Sequence, residues 1–91
     1  MKIRAIHIEN SVAMKIYEKH RVPVEEIYEV FAQNQAEFRQ VGGNQYMSIG
    51  PSKNRYLTMF FTYDEIAKEI DITTAYPSSK KQIKIYKKVR K

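Results

Sequence analysis

Residues Arg55 to Tyr63 alternate without a break. Leu57, Met59, Phe61 and Tyr63 fall on one side of an extended chain, and Tyr56, Thr58 and Phe60 on the other. Successive side chains of a strand point to opposite faces, so this run predicts the strongest strand of the chain. It does not stand alone. Glu37-Phe38-Arg39-Gln40-Val41 reads as a strand that ends at the turn Gly42-Gly43, and Tyr46 to Gly50 as its return. Pro51-Ser52-Lys53-Asn54 makes the next turn. Asp64-Glu65 opens a loop, and Ile70 to Tyr76 is the last strand. Consecutive strands joined by short turns predict an antiparallel meander.

The helices come mainly from the N-terminal third. Lys2 to Ile8 has apolar residues on both sides of its alternation and reads as a short strand. Asn10 is placed to cap a helix in which Val12, Ala13, Ile16, Tyr17 and His20 share a face, with Lys15, Glu18 and Lys19 turned away. Arg21-Val22 breaks it, and Pro23 suits the first turn of a second helix. There Val24, Ile27, Tyr28 and Phe31 form one apolar stripe. Two helices joined so closely are expected to pack as a hairpin. The whole reads as one α+β domain over residues 1–91, of order β-α-α-β-β-β-β-α, with helices on one side of the meander.

Lys80 to Lys91 changes the character of the chain. Lys80, Lys81, Lys84, Lys87, Lys88, Arg90 and Lys91 are accompanied by no acid. The formal net charge is +6, and without these seven cations nine bases face ten acids. Ser79-Lys80-Lys81-Gln82 matches a capping box, and Ile83, Tyr86 and Val89 make a narrow apolar stripe. A docked amphipathic helix is therefore expected, offering a localised handle to a polyanion or an acidic protein. The absence of cysteine excludes disulfides and thiolate metal sites and fits a reducing cytoplasm. Met1 to Ile8 lacks the apolar run of a secretory signal. No stretch approaches ~18 consecutive apolar residues, so no membrane span is expected. Gly42-Gly43 is followed by no phosphate-loop residues, and no histidine–carboxylate spacing suggests zinc. Neither a metal nor a cofactor is expected.

Six pieces of the chain, in order, resemble one family. Lys19-His20-x-Val22-x-x-Glu25-Glu26-Ile27-x-x-Val30-Phe31 resembles the KHGV-x-x-EE-x-x-x-VF stretch of BrnT-type toxins. Phe38-Arg39 stands near that family's arginine-bearing strand. Tyr46-x-x-Ile49-Gly50 and Arg55-Tyr56-Leu57-x-x-Phe60 are similar to its next two strands. Ile70-x-Ile72-Thr73-Thr74-Ala75, followed by Lys80-Lys81 and Tyr86, resembles its C-terminal part. The resemblance covers nearly all the chain. It implies a RelE-like microbial ribonuclease fold and cleavage of RNA. It also implies neutralisation by a cognate antitoxin, a ribbon-helix-helix DNA-binding protein. Three positions depart from the pattern. Its arginine falls on Tyr76, followed by Pro77; its last-helix glutamate falls on Gln82; its glycine after Lys-His is Arg21.

Metal-independent RNA cleavage needs a base for the 2′-hydroxyl, an acid for the leaving oxygen and cations for the developing charge. His20 is a side chain that moves protons near neutrality, or it packs the end of the first helix. His7 reads as structural, and Glu25 and Glu26 are explained by the helix dipole. Arg39 and Arg55, on rigid strands, suit bidentate phosphate contact or a solvated sheet face. Tyr76 stacks a base or donates a proton in place of the arginine, or it plugs the core edge. Lys80 and Lys81 oppose the dipole at a helix start and so point to a bound anion. Lys19, Lys84, Lys87 and Lys88 suit RNA phosphates, and the helix lysines equally suit an acidic antitoxin surface. The leading expectation is a ribonuclease toxin. The alternative is a catalytically degenerate relative that works by binding nucleic acid or protein.

Overall fold

The computed structural model describes residues 1–90. In chain order its elements are β1 (Ala5–His7), α1 (Asn10–His20), α2 (Val24–Ala32), β2 (Glu37–Gly42), β3 (Gln45–Pro51), β4 (Tyr56–Asp64), β5 (Glu69–Pro77) and α3 (Lys80–Val89). The α+β class and the element order follow the sequence reading. The strands form one five-stranded sheet of order β1-β5-β4-β3-β2. β2 to β5 make the expected antiparallel meander. β1 extends it in parallel with β5, Ala5 facing Glu69 and His7 facing Asp71, so the sheet is mixed. A parallel partner requires a long crossover, which the intervening helices and meander supply. His7 is exposed on that edge, its ring 2.8 Å from the Glu69 carboxylate.

The alternation of β4 decides what lies on each face. Leu57, Met59, Phe61 and Tyr63 are buried in one core with Ile16 from α1, Val22 from the link that follows it, and Ile27 and Val30 from α2. Tyr56 and Thr58 face the other way and meet α3: Tyr86 lies over Tyr56, and Thr58 bonds Gln82. The expectation of helices on one side thus holds for α1 and α2 but not for α3, because both faces of β4 offer a contact surface. Nor do α1 and α2 pair as a hairpin. Arg21 ends α1 in the left-handed conformation (φ 57), Pro23 is extended, and the helices separate, α1 lying on β5 and α2 on β3. The cap position before α1 is Glu9 rather than Asn10.

One ion pair staples this junction. Arg55 donates from Nε to Glu26 Oε2 and from Nη2 to Glu26 Oε1, both at 2.8 Å. Ser52 donates to the same carboxylate at 2.8 Å, and Arg55 Nη2 also reaches the Arg21 carbonyl at 2.9 Å. Bonding to Arg55, helped by Ser52, holds the Glu26 carboxyl below its usual range against the opposing effect of burial.

The pairing of β4 with β5 contains a bulge. Phe60 faces Thr74 but Phe61 faces Ile72, so Thr73 has no partner. The extra residue reverses the alternation. Ile70 and Ile72 below it are buried in the core, as is Ala75 above it. Thr74 and Tyr76 consequently share the α3 face with Phe60 and Thr58.

On β3, Ser48 is fully buried and its hydroxyl has no hydrogen-bond partner among the described residues. A buried hydroxyl without a partner is destabilising. Ser48→Ala is expected to stabilise the protein by about 1 kcal/mol, read as a melting temperature raised by roughly 4–8 °C. An unchanged or lowered melting temperature would contradict this.

α3 begins with the predicted capping box, both reciprocal bonds between Ser79 and Gln82 being formed. Tyr86 is buried and donates to the Gln35 carbonyl at 2.7 Å, and Arg90 pairs with Glu37 at 2.9 Å. The apolar stripe is shorter than expected, since Val89 is 62% exposed. Lys91 lies outside the described residues. No described helix is long and apolar enough to cross a membrane.

Candidate active site

The face opposite α1 and α2 is only partly covered. α3 lies over the row that runs Tyr76, Thr58, Ile49, Glu37 across the sheet. The adjacent row, Thr74, Phe60, Met47, Arg39, has its side chains on the same face. Tyr76 is where the two rows meet the last helix. Its ring stacks on Phe60 at 6.4 Å between centroids and lies 5.7 Å from the ring of His20. The histidine arrives from another direction. β1 pairs only with residues Glu69 to Asp71 of β5, which leaves the upper edge of β5 to α1. His20, the last residue of α1, therefore stands at that edge. Beside it is a cleft of about 250 Å³ lined by Val12, Lys15, Ile16, Lys19, His20, Thr73 and Thr74.

Behind Tyr76 is a chain of hydrogen bonds. The Gln82 amide nitrogen donates to Tyr76 Oη at 3.2 Å. Gln82 Oε1 accepts from the Ser79 N–H at 2.8 Å and from Thr58 Oγ1 at 3.0 Å. Thr58 Oγ1 is in turn 2.7 Å from Ser78 Oγ. The capping box that starts α3 thus also holds the phenol.

The expected site residues separate into three places. His20 and Lys19 line the cleft, and Tyr76 stands next to His20 outside its lining. Arg39 is exposed at the far end of the open row, about 14 Å across the sheet from Thr74 at normal strand spacing. Arg55 is spent on Glu26 and the Arg21 carbonyl. The α3 lysines form a third group. At 100° per residue Lys80, Lys81, Lys84, Lys87 and Lys88 occupy an arc of about 120°, opposite the arc of Gln82, Ile83 and Tyr86 that meets the sheet. All five are exposed, and only Lys87 leans back, over the Tyr56 ring at 5.8 Å. Thr58, Phe60 and Lys15 had not been singled out by sequence. Gln82 had been, as a cap and as the position of the pattern's last-helix glutamate, but not as a partner of Tyr76. The alternation of β4 was the available signal for Thr58 and Phe60; nothing local marked Lys15, which was expected to point away.

A 1.1 Å crystal structure of the Brucella abortus ribonuclease toxin, BrnT, is similar to this one, with a TM-score of 0.70. The match covers 84% of this chain and 97% of that one at 14% sequence identity. The chain has the BrnT fold. No protein-family model matches it, and no curated protein does. Within the BrnT fold, two of the three departures from the family pattern are in contact. Where the pattern carries arginine and glutamate, this chain carries Tyr76 and Gln82, and they bond to each other. Two opposite charges are replaced by a neutral hydrogen bond. The third departure, Arg21, sits in the left-handed region at the end of α1, the helix-ending conformation for which glycine is best suited.

Proposed function

We infer that this chain is the toxin half of a toxin–antitoxin pair, a metal-independent endoribonuclease restrained by a cognate antitoxin of the ribbon-helix-helix DNA-binding type. The observation that carries the reading is the meeting of an imidazole and a phenol, 5.7 Å apart, beside a cleft with two lysines in a BrnT fold. His20 takes the proton of a 2′-hydroxyl as its oxygen attacks phosphorus. The bond to the 5′ oxygen breaks, Tyr76 protonates that oxygen, and a 2′,3′-cyclic phosphate and a 5′-hydroxyl result. Lys15 and Lys19 offset the charge that develops on phosphorus. Phe60 offers a stacking face to a neighbouring base, and Arg39 a phosphate contact further along the strand. The outward lysines of α3, led by Lys80 and Lys81, bind RNA phosphates beyond the cleft or the acidic face of the antitoxin. Arg55 has no place in this chemistry, because its guanidinium is filled by Glu26.

Induction of the chain alone in a bacterial host should arrest growth and degrade RNA. His20→Ala and Tyr76→Phe should each lower cleavage by the purified protein about 10²–10⁴-fold with unchanged melting, and chelators should have no effect. Normal growth with intact RNA at good expression would remove the reading. A second reading, a binding module that no longer cleaves, is favoured by the neutral Tyr76–Gln82 contact in place of two charges. It requires saturable RNA binding without cleavage. If all five lysines contact phosphates, affinity should fall about 100-fold between 50 and 200 mM salt.

A further inference from the structure

We propose that Gln82 is a positioning residue that sets the direction of the Tyr76 phenol proton. A side-chain amide is told end from end only by its partners. Here the decisive partner is the backbone N–H of Ser79, 2.8 Å away, which has a proton to give and no lone pair to offer. It must face Oε1. Thr58 Oγ1 gives its proton to the same oxygen at 3.0 Å, so Ser78, 2.7 Å from Thr58, donates to it in turn. With Oε1 occupied twice, the amide nitrogen is left to face Tyr76 Oη at 3.2 Å, where it donates. The phenol is thereby an acceptor on its Gln82 side. Its own proton has no protein acceptor among the described residues and is left for a group outside the relay, on a tyrosine whose ring lies 5.7 Å from that of His20. Ser78, Thr58, Gln82 and Tyr76 form a relay whose hydrogen bonds all point one way.

This direction divides the labour at the junction. Tyr76 is the acid and His20 the base. The phenol O–H breaks as the 5′ oxygen leaves phosphorus and takes that proton; the imidazolium, which gained its proton from the 2′-hydroxyl, then returns one to the phenolate. Both groups end as they began. The identity of the receiving atom rests on the ribonuclease reading, whereas the orientation rests on the hydrogen bonds alone.

Gln82→Glu tests both. Glutamate serves a capping box as well as glutamine, so α3 should start as before and the melting temperature should hold. A carboxylate, however, only accepts, and it would turn the phenol round into a donor. The tyrosine Raman doublet distinguishes an accepting from a donating phenol, and difference spectra against Tyr76→Phe isolate this one tyrosine. The expected result is an acceptor in the unmodified protein, a donor in Gln82→Glu, and RNA cleavage lowered about 10–100-fold. In the Tyr76→Phe background Gln82→Glu should then cost little more. An unchanged Raman signature overturns the orientation. A switched signature with undiminished cleavage overturns the role of the proton, as does a full additional loss in the Tyr76→Phe background, which would mean that the new charge repels phosphate directly. If the unmodified protein cleaves no RNA, the ribonuclease reading falls, and the Raman comparison still decides the orientation.

Discussion

Deletion of Thr73 together with Thr74 is expected to cost about 3–6 kcal/mol of stability. Removing Thr73 alone would only take out the unpaired residue and leave every face as it is, but with both threonines gone β5 is one residue short and has two ways to pair with β4. If the upper half keeps its place, Ile70 and Ile72 turn out of the core. If the lower half keeps its place, Ala75 leaves the core and Tyr76 is driven into it. Exposing two buried isoleucines sacrifices roughly 1.5–3 kcal/mol each, and forcing a tyrosine into a filled interior is costly in its own way. A domain with about 5–15 kcal/mol in total would be left marginal. Thr73 itself is exposed, so Thr73→Ala should stay within about 0.5–1 kcal/mol of the unmodified protein. Denaturant titration of the two variants side by side checks the claim. A double-deletion variant as stable as Thr73→Ala would show that the spacing between Ile72 and Ala75 does not set the faces of β5.

The second large effect is expected at Glu26. Glu26→Ala leaves Arg55 and Ser52 without their carboxylate beneath α2. Breaking a buried ion pair costs about 3–5 kcal/mol. The Arg55 side chain is 36% exposed, so solvent relieves part of this, and about 2–4 kcal/mol is expected. That corresponds to a melting temperature lower by roughly 10–25 °C. The pair also sets an acid limit. Folding lowers the Glu26 pKa, so the contribution is fully present above the unfolded value near 4.5 and is lost as pH falls through the lower folded value. The unmodified protein should lose stability through this acid range, and Glu26→Gln should show a shallower slope there. Parallel slopes would place the acid sensitivity elsewhere.

These two sites mark where the sequence was hard to read. The order of elements was legible, because periodicity switches between two and 3.6 at clear breaks and because Ser79 and Gln82 announce the start of α3. The core face of β4 was legible for the same reason. The bulge was not: in Ile72-Thr73-Thr74-Ala75 neither threonine differs from the other in propensity or polarity, and only the partner strand shows which is unpaired. Arg55 was misjudged because a strand arginine that binds phosphate and one that binds a glutamate 29 residues away look alike in one dimension. Glu26 carried a sufficient local explanation in the helix dipole, which hid its distant partner. Lys15 and Lys19 were expected to turn away from the packed side of α1, and only Lys19 was matched to an RNA phosphate. They line the cleft because the upper edge of β5 lacks a strand, a consequence of β1 being three residues long.

The parallel strand also orders events in time. Ala5 pairs with Glu69, Arg4 donates its N–H to the Lys68 carbonyl at 2.6 Å, and Tyr63 donates to the Lys2 carbonyl at 2.7 Å. A chain emerging from the ribosome therefore carries β1 without its partner until almost the whole sheet has been made. Contacts this far apart in sequence slow the closing step of folding. The junction is later still. His20 is synthesised early, but Thr58, Tyr76 and Gln82 must follow before the relay behind the phenol exists. Until Gln82 has cleared the exit tunnel there is no oriented phenol, so a nascent chain passes through most of its synthesis without this site, close to the cell's densest store of RNA.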